Sequence, residues 1–260
     1  ATLTGTTNQV SVANGNGSIT LSTPQDIHTA ATPTFDSETL GIMPDAIILN
    51  MSMLCGNWDD IFGKESGSKI RNLVGYRGDF ERAAAPSLLE FYKEAVVRMK
   101  KRTLSINFDE QEQAENGRTL TESVMRFWLD HPEAYENMTS GKKISLDKLG
   151  SAFYKYLERT NYDAKKGGTE VLIRAPHFDS PIVRDAMGGI EPYNHFNIRD
   201  IRTIVDMAWL NNNGNGYINL VTDDGEQFLD QLGFIKHDAV DDIARDMVQV
   251  HLSYCMVGKL

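Results

Sequence analysis

A mixed α/β domain preceded by a short β-hairpin segment is what the sequence predicts, on three observations. From residue 36 onward, apolar runs of strand length alternate with apolar stripes at helical spacing. The first thirty-five residues differ in composition, with no Lys or Arg and a single acid, Asp26. They also hold two stretches that alternate polar with apolar, Gln9–Val12 and Ser18–Ser22. Asn14-Gly15-Asn16-Gly17 lies between them and supplies residues that tolerate the positive φ of a tight turn. An isolated hairpin is marginal in water, so this segment is expected to need another surface or chain. Residues 1–30 carry too little apolar surface to own a core and are expected to be dispensable for the larger domain.

Within the larger domain the elements follow in order. Ala46–Leu54 is an apolar run too short for most helices and rich in strand formers at its start, which predicts a buried strand. Residues 61–85 are polar and Gly-rich, the composition of a loop or insertion. Pro86 opens a helix to about Arg102, with Leu89, Tyr92, Ala95, Val96 and Met99 at helical spacing. Ser105–Phe108 suits a strand, and Thr121–Leu129 a helix, with Asp130-His131-Pro132 ending it or starting the next. Another helix is expected from Ser145 to about Arg159, where Leu146, Leu149, Phe153, Tyr156 and Leu157 make one face. Lys165–Gly168 is a turn and Glu170–Ala175 a strand, with Pro181 suited to the first turn of the helix that follows. A helix near Ile204–Leu210 leads into a loop over Asn211–Gly216. The last helix is marked by a stripe of Ala239, Val240, Ile243, Ala244, Met247 and Val248, which places His237 in the loop before it.

Composition narrows the function classes. At 260 residues with 41% apolar side chains, the chain can bury a sizeable core. No apolar run approaches the roughly 20 residues needed to cross a bilayer, and Ala1–Val10 lacks the basic and apolar regions of a signal peptide, so no membrane partner is expected. Cys55 and Cys255 show neither CxxC nor CxxH spacing, which signals neither a disulfide framework nor a zinc site and makes a reducing compartment the default. A net charge of −10 argues against a protein that coats nucleic acid by bulk attraction. It does not argue against an enzyme that meets phosphates through metals held by its carboxylates.

Three acidic clusters sit where open α/β sheets place catalytic groups, at strand ends and helix starts. In Asp36-Ser37-Glu38, side chains two apart on an extended strand share a face, so both carboxylates can reach one metal pair; a solvated surface pair is the bland alternative. In His177-Phe178-Asp179-Ser180-Pro181, Asp179 either lines a site or caps the helix that Pro181 begins. The third cluster is His237-Asp238-Ala239-Val240-Asp241-Asp242. Positions five apart on a helix diverge by roughly 140°, so His237 can share a site with Asp242 only from the preceding loop. Other features admit two readings each. Lys100-Lys101-Arg102 and Lys165-Lys166 could guide a nucleic-acid strand or be solvated basic clusters, with the second favoured. Arg199 and Arg202 flank Asp200 and suit ordinary ion pairs, and Phe127 and Trp128 are read as core in preference to base-stacking groups. His28, His131, His177, His195 and His251 lack metal-ligand spacing, although His177 is close enough to Asp179 to line the site.

In that order, D-x-E, F-D-x-P and H-x4-D resemble the three motifs of the DnaQ-like DEDDh 3'-5' exonuclease superfamily, and within it phage DexA-type exonucleases over about residues 36–257. The stretches DSETLG, RTLTESVMRFWLDHPEA, RAPHFDSPIVRDAM, FNIRDIRTIVDM and HDAVDDIARD carry the resemblance. It implies an RNase H-like fold, a mixed five-stranded sheet flanked by helices. It further implies that Asp36, Glu38, Asp179 and Asp242 hold two Mg²⁺ or Mn²⁺ ions, with His237 as general base. The chemistry suits those residue types: phosphodiester hydrolysis gathers negative charge, and two hard cations about 4 Å apart stabilise the attacking and leaving oxygens. The implied reaction releases nucleoside monophosphates from the 3' end of single-stranded DNA or RNA, in the cytoplasm of an infected bacterial host. Residues 1–35 resemble a phage tail-fibre repeat, which divides the chain into a fibre-repeat-like segment, 1–35, and an exonuclease-like domain, 36–260. That second resemblance allows association with a virion or fibre, and with it the alternative of a virion structural or attachment protein whose nuclease-like fold is inactive. One departure stands out. The family's D-x-E closes an apolar strand, whereas here Ala31-Thr32-Pro33-Thr34-Phe35 offers one strongly apolar residue and a proline that cannot donate to a sheet.

Overall fold

The computed structural model describes residues 11–14, 19–22, 37–63, 86–161, 170–208 and 223–256. The chain divides into two compact units, residues 1–33 and 34–260. In the first, β1 (Ser11–Asn14) and β2 (Ile19–Ser22) pair antiparallel, with Ser11 opposite Ser22 and Asn14 opposite Ile19. The hairpin expected from the alternation is present, its first strand shifted two residues past Gln9–Val12. Asp36, the turn at Gly15–Gly17, the 61–85 stretch beyond Gly63, the Lys165–Gly168 turn and the Asn211–Gly216 loop lie outside the described residues.

The second unit is built on a mixed four-stranded sheet of β3 (Ser37–Thr39), β4 (Ile48–Met53), β5 (Leu104–Phe108) and β6 (Lys143–Ile144), in that order. The first three pair antiparallel and β6 joins β5 in parallel. A separate parallel pair is formed by β7 (Val171–Ile173) and β8 (Ile198–Asp200). Within this unit the described strands thus form two sheets where the sequence resemblance implies a single sheet of five. The apolar run that signals β4 has a physical cause, since both of its faces are covered. Leu49 packs with Leu40, Trp128 and Met138, whereas Ile48 and Met51 pack with Phe108, Leu149 and Ile182. Fully burying an aliphatic side chain of this size contributes roughly 1.5–3 kcal/mol.

A glutamine side chain completes the hydrogen bonding of β4. In the short helix α3 (Glu110–Glu115), which follows α1 (Trp58–Phe62) and α2 (Pro86–Arg102), Gln113 accepts from Ile48 N at 2.9 Å and donates to Ile48 O at 2.8 Å. The amide group thereby takes the place of a strand neighbour for a residue that is wholly buried. Gln113→Ala is expected to lower stability by about 1–3 kcal/mol, because it leaves buried backbone groups without partners. Gln113→Glu should destabilise in the same direction, since an ionised carboxylate cannot donate to Ile48 O. Urea unfolding checks both, and an unchanged midpoint would remove this role from Gln113.

The helical side of the unit follows the expected periodicity at its long elements and departs from it at the short ones. α2 has the predicted bounds and buries Leu88, Tyr92, Ala95, Val96 and Met99. α4 (Glu122–Leu129) and α5 (Pro132–Thr139) flank His131, so the proline starts the next helix, fitting its preference for the first helical turn. A 3₁₀ turn at Leu146–Lys148 leads into α6 (Leu149–Thr160), which Asn161 ends in a left-handed conformation. α7 runs Pro176–Ala186, correcting the expectation that Pro181 opens this helix: Pro176 holds the first turn and Pro181 lies inside. α8 (Ile201–Ala208) begins three residues earlier than expected, directly after β8, and α9 (Asp223–Asp230) precedes the last helix.

That last helix, α10 (Ala239–Met256), is covered on nearly every side. Besides the apolar stripe it buries Asp241, Asp242, Asp246, Gln249, His251 and Ser253. Among the described residues no helix is long and apolar enough to cross a membrane. His251 stacks on Phe62 with ring centroids 3.8 Å apart, and its Nδ1 shares a 2.8 Å hydrogen bond with the Tyr92 hydroxyl. Burial pushes the His251 imidazole from 6.5 down to about 3. Below pH 6.5 the unfolded chain therefore binds a proton that the folded chain refuses, and stability present above that pH is lost as pH falls towards 3. Between pH 6.5 and 5 the loss should reach up to about 2 kcal/mol from this residue. The check is urea unfolding across that range, in which His251→Gln should show a shallower pH dependence than the parent.

Candidate active site

The sequence-predicted acids that the structure describes are all buried. Glu38 is 2% exposed, Asp179 3% and Asp242 1%. Glu38 sits in the middle of β3, opposite Asn50 of β4, which in turn lies opposite Asn107 of β5. Cross-strand partners share a sheet face, so Glu38 belongs to a polar face continued by Asn50, Ser52, Ser105 and Asn107. Those four are tied together: Asn50 donates to Ser105 Oγ at 2.9 Å, and Ser52 donates to Asn50 Oδ1 at 3.0 Å. A β-bulge between Glu38 and Thr39 ends the regular ladder directly after the acid, a common position for a bulge beside a functional group.

Asp179 occupies the first turn of α7, where the positive end of the helix dipole favours a carboxylate. It is not the helix cap, a role that falls to Ala175, whose φ of +55° is unusual for a residue with a Cβ. The Asp179 side chain lines a cavity of about 590 Å³ whose wall also includes Met53, Tyr193, Ile243 and Asp246. Asp179 and α10 thus border one space. They are also fastened at the base: Arg174, directly after β7, donates from Nε to both Asp246 oxygens at 2.9 Å and from Nη2 to Oδ1 at 2.6 Å. Sequence reasoning missed this pair. The available signal was the i,i+4 spacing of Asp242 and Asp246, which puts both on one face of α10.

His237 lies in the turn before α10, as expected, with φ +64°. Its ring meets Phe127 at 4.8 Å and His131 at 4.5 Å, both edge to face. Burial first, then the nearby His131, Arg245 and Lys236, pushes its imidazole down to about 4, so it is neutral at physiological pH. The next residue, Asp238, caps α10 by accepting from Val240 N and Asp241 N, both at 3.1 Å. Asp241 accepts from Ile235 N at 2.7 Å and pairs with Lys100, fixing the turn on its other side. Lys100 thereby ties α2 to the start of α10. Asp242 follows one turn on, its amide donating to Asp238 O at 2.8 Å.

Two further expectations are settled by placement. His177 is exposed and two positions from Asp179 on a helix, so it points away from it. Trp128 is core, as read from the sequence, and its indole Nε1 donates to Thr39 O at 3.0 Å. That bond ties α4 to the residue after Glu38, while the neighbouring Phe127 touches His237. Asp36, the first residue of the predicted set, lies outside the described residues. Among the described residues no group of three or more His, Cys, Asp and Glu is arranged to hold a metal ion.

Comparison with curated proteins gives no significant match, and neither does comparison with solved structures. A family model described as the 3'-5' exoribonuclease Rv2179c-like domain matches residues 88–253. The matched region contains Asp179, His237 and Asp242, and begins after the strand that bears Glu38. This family supports the exonuclease reading of the DnaQ-like superfamily. Over more than half of its length, the chain belongs to the family of Rv2179c-like 3'-5' exoribonuclease domains.

Proposed function

We propose that the chain is a metal-dependent 3'-5' exonuclease that releases nucleoside monophosphates from single-stranded nucleic acid, with RNA as the substrate its family's description favours. The observation that carries this reading is the burial of three carboxylates, Glu38, Asp179 and Asp242, the last two within the region that the exoribonuclease family model matches. Taking a carboxylate out of water costs several kcal/mol, a cost more often met at sites of chemistry than in ordinary cores. The RNase H-like arrangement belongs to the same proposal, supported by the antiparallel strands β3, β4 and β5 and the parallel pair β7 and β8.

The donor set consists of hard carboxylate oxygens, which fits Mg²⁺ or Mn²⁺. Asp36, Glu38, Asp179 and Asp242 would hold the ions, which when bound supply positive charge to the phosphate oxygens. His237 takes the proton of the attacking water on its unprotonated ring nitrogen. Burial keeps that nitrogen free of a proton at neutral pH, and the negative charge of a bound phosphodiester favours the imidazolium that forms.

The direct test is incubation with 5'-end-labelled single-stranded RNA and DNA in Mg²⁺, Mn²⁺ or EDTA. A ladder shortening from the 3' end, abolished by EDTA, is expected, with RNA cleaved faster. A protein that cleaves neither polymer under any metal would sink the enzyme reading and favour a structural role in a virion.

A further inference from the structure

A residue with a Cβ is uncommon at φ +64°, so its surroundings must fix His237 where it is. Two rings provide the contact. Phe127 and His131 are one turn apart in sequence and stack on each other at 4.3 Å, 31° from parallel. His131 Nδ1 lies 2.8 Å from Phe127 O. A carbonyl only accepts, so Nδ1 carries the proton and the ring is locked by that bond. Pro132, the first residue of α5, disfavours the helical conformation at His131, whose φ of −127° and ψ of 56° lie outside the helical region. The result is a rigid two-ring wall against which the His237 ring stands edge-on. The same helix, α4, is anchored through Trp128 to Thr39 O, next to Glu38.

We propose that the Phe127–His131 ring pair is a positioning element that sets the His237 imidazole relative to the strand bearing Glu38. The proposal rests on the exonuclease reading above, in which His237 accepts a proton. Lys236 on its own turn and Arg245 on α10 also lie near His237, and Asp238 follows it directly. Contact with two rings fixes both the tilt and the height of the imidazole. A shift of about 1 Å in a reacting group is enough to cost on the order of 10²-fold in rate.

The test uses the full chain with His131→Ala, His131→Phe and Phe127→Ala, read in two ways. Without substrate, the His237 imidazole resonance, assigned by its absence in His237→Ala, should move in both alanine variants and stay near the parent value in His131→Phe. With 3'-labelled RNA, His131→Ala should lose about tenfold to a hundredfold in kcat at nearly constant KM, and His131→Phe should recover most of it. A resonance unmoved in both alanine variants overturns the proposal. So does a His131→Phe variant as slow as His131→Ala, which would assign the effect to the lost hydrogen bond. A parent that cleaves nothing overturns the exonuclease reading instead, and the substrate-free resonance then decides by itself whether the rings hold His237.

Discussion

His237→Ala is expected to slow single-turnover cleavage by roughly 10²-fold to 10⁴-fold while leaving Mn²⁺ affinity nearly unchanged. The reason lies in the division of chemistry between the helix and the turn before it. Asp242 is held inside α10 and Asp179 inside α7, and with Asp36 and Glu38 they are the carboxylates proposed to hold metal. The imidazole, packed against Phe127 and His131, is the proposed proton acceptor. Asp179→Asn should behave differently, weakening Mn²⁺ affinity and rate together, because a neutral amide is a poorer ligand for a hard cation. Calorimetry with Mn²⁺ and single-turnover cleavage in one buffer separate the two variants. If the His237 variant cleaves as fast as the parent, His237 is not the base.

The largest effect on stability is expected at the pair buried beneath the site. Arg174 is 0% exposed and Asp246 1%, and the guanidinium grips the carboxylate through two nitrogens. Asp246→Ala leaves a cation in the interior, and breaking such a pair costs about 3–5 kcal/mol. A domain is stable by only about 5–15 kcal/mol, so this is a large fraction of the total. Removing both charges is a different experiment. Arg174→Met with Asp246→Leu should recover most of the loss, since a buried pair gains little over well-packed apolar side chains. Urea unfolding of the parent, Arg174→Met, Asp246→Leu and the double variant gives the coupling. Strict additivity, with the double variant as unstable as the sum of the singles, would show that the charges are not stabilising each other.

What could be read from the sequence, and what could not, follows from length and from where the partners lie. α2 and α10 repeat an apolar residue every three or four positions over many turns, and their positions follow directly. β3, β6 and β8 are two or three residues long, too short to show any period. The start of α7 was displaced because Pro181 carries the same helix-opening signal as Pro176, and only the backbone path distinguishes them. The motif acids were legible as types in order. Their support was not: Arg174 reaches Asp246 across 72 positions, and His131 reaches His237 from another helix boundary. Nothing local to either residue announces its partner.

The enclosure of α10 bears on how activity is lost on heating. Amide protons of a helix covered on nearly every side exchange with solvent only when the whole unit opens, whereas frayed or exposed segments exchange through small local openings. Asp242 therefore sits in the slowest-exchanging class, and no partial fluctuation of the surface can displace it. His237, in the turn ahead of the helix, is expected to exchange faster. On the proposed roles, thermal inactivation through Asp242 is expected to coincide with global melting and loss of His237 to precede it, leaving a protein that is folded, able to bind metal and slow.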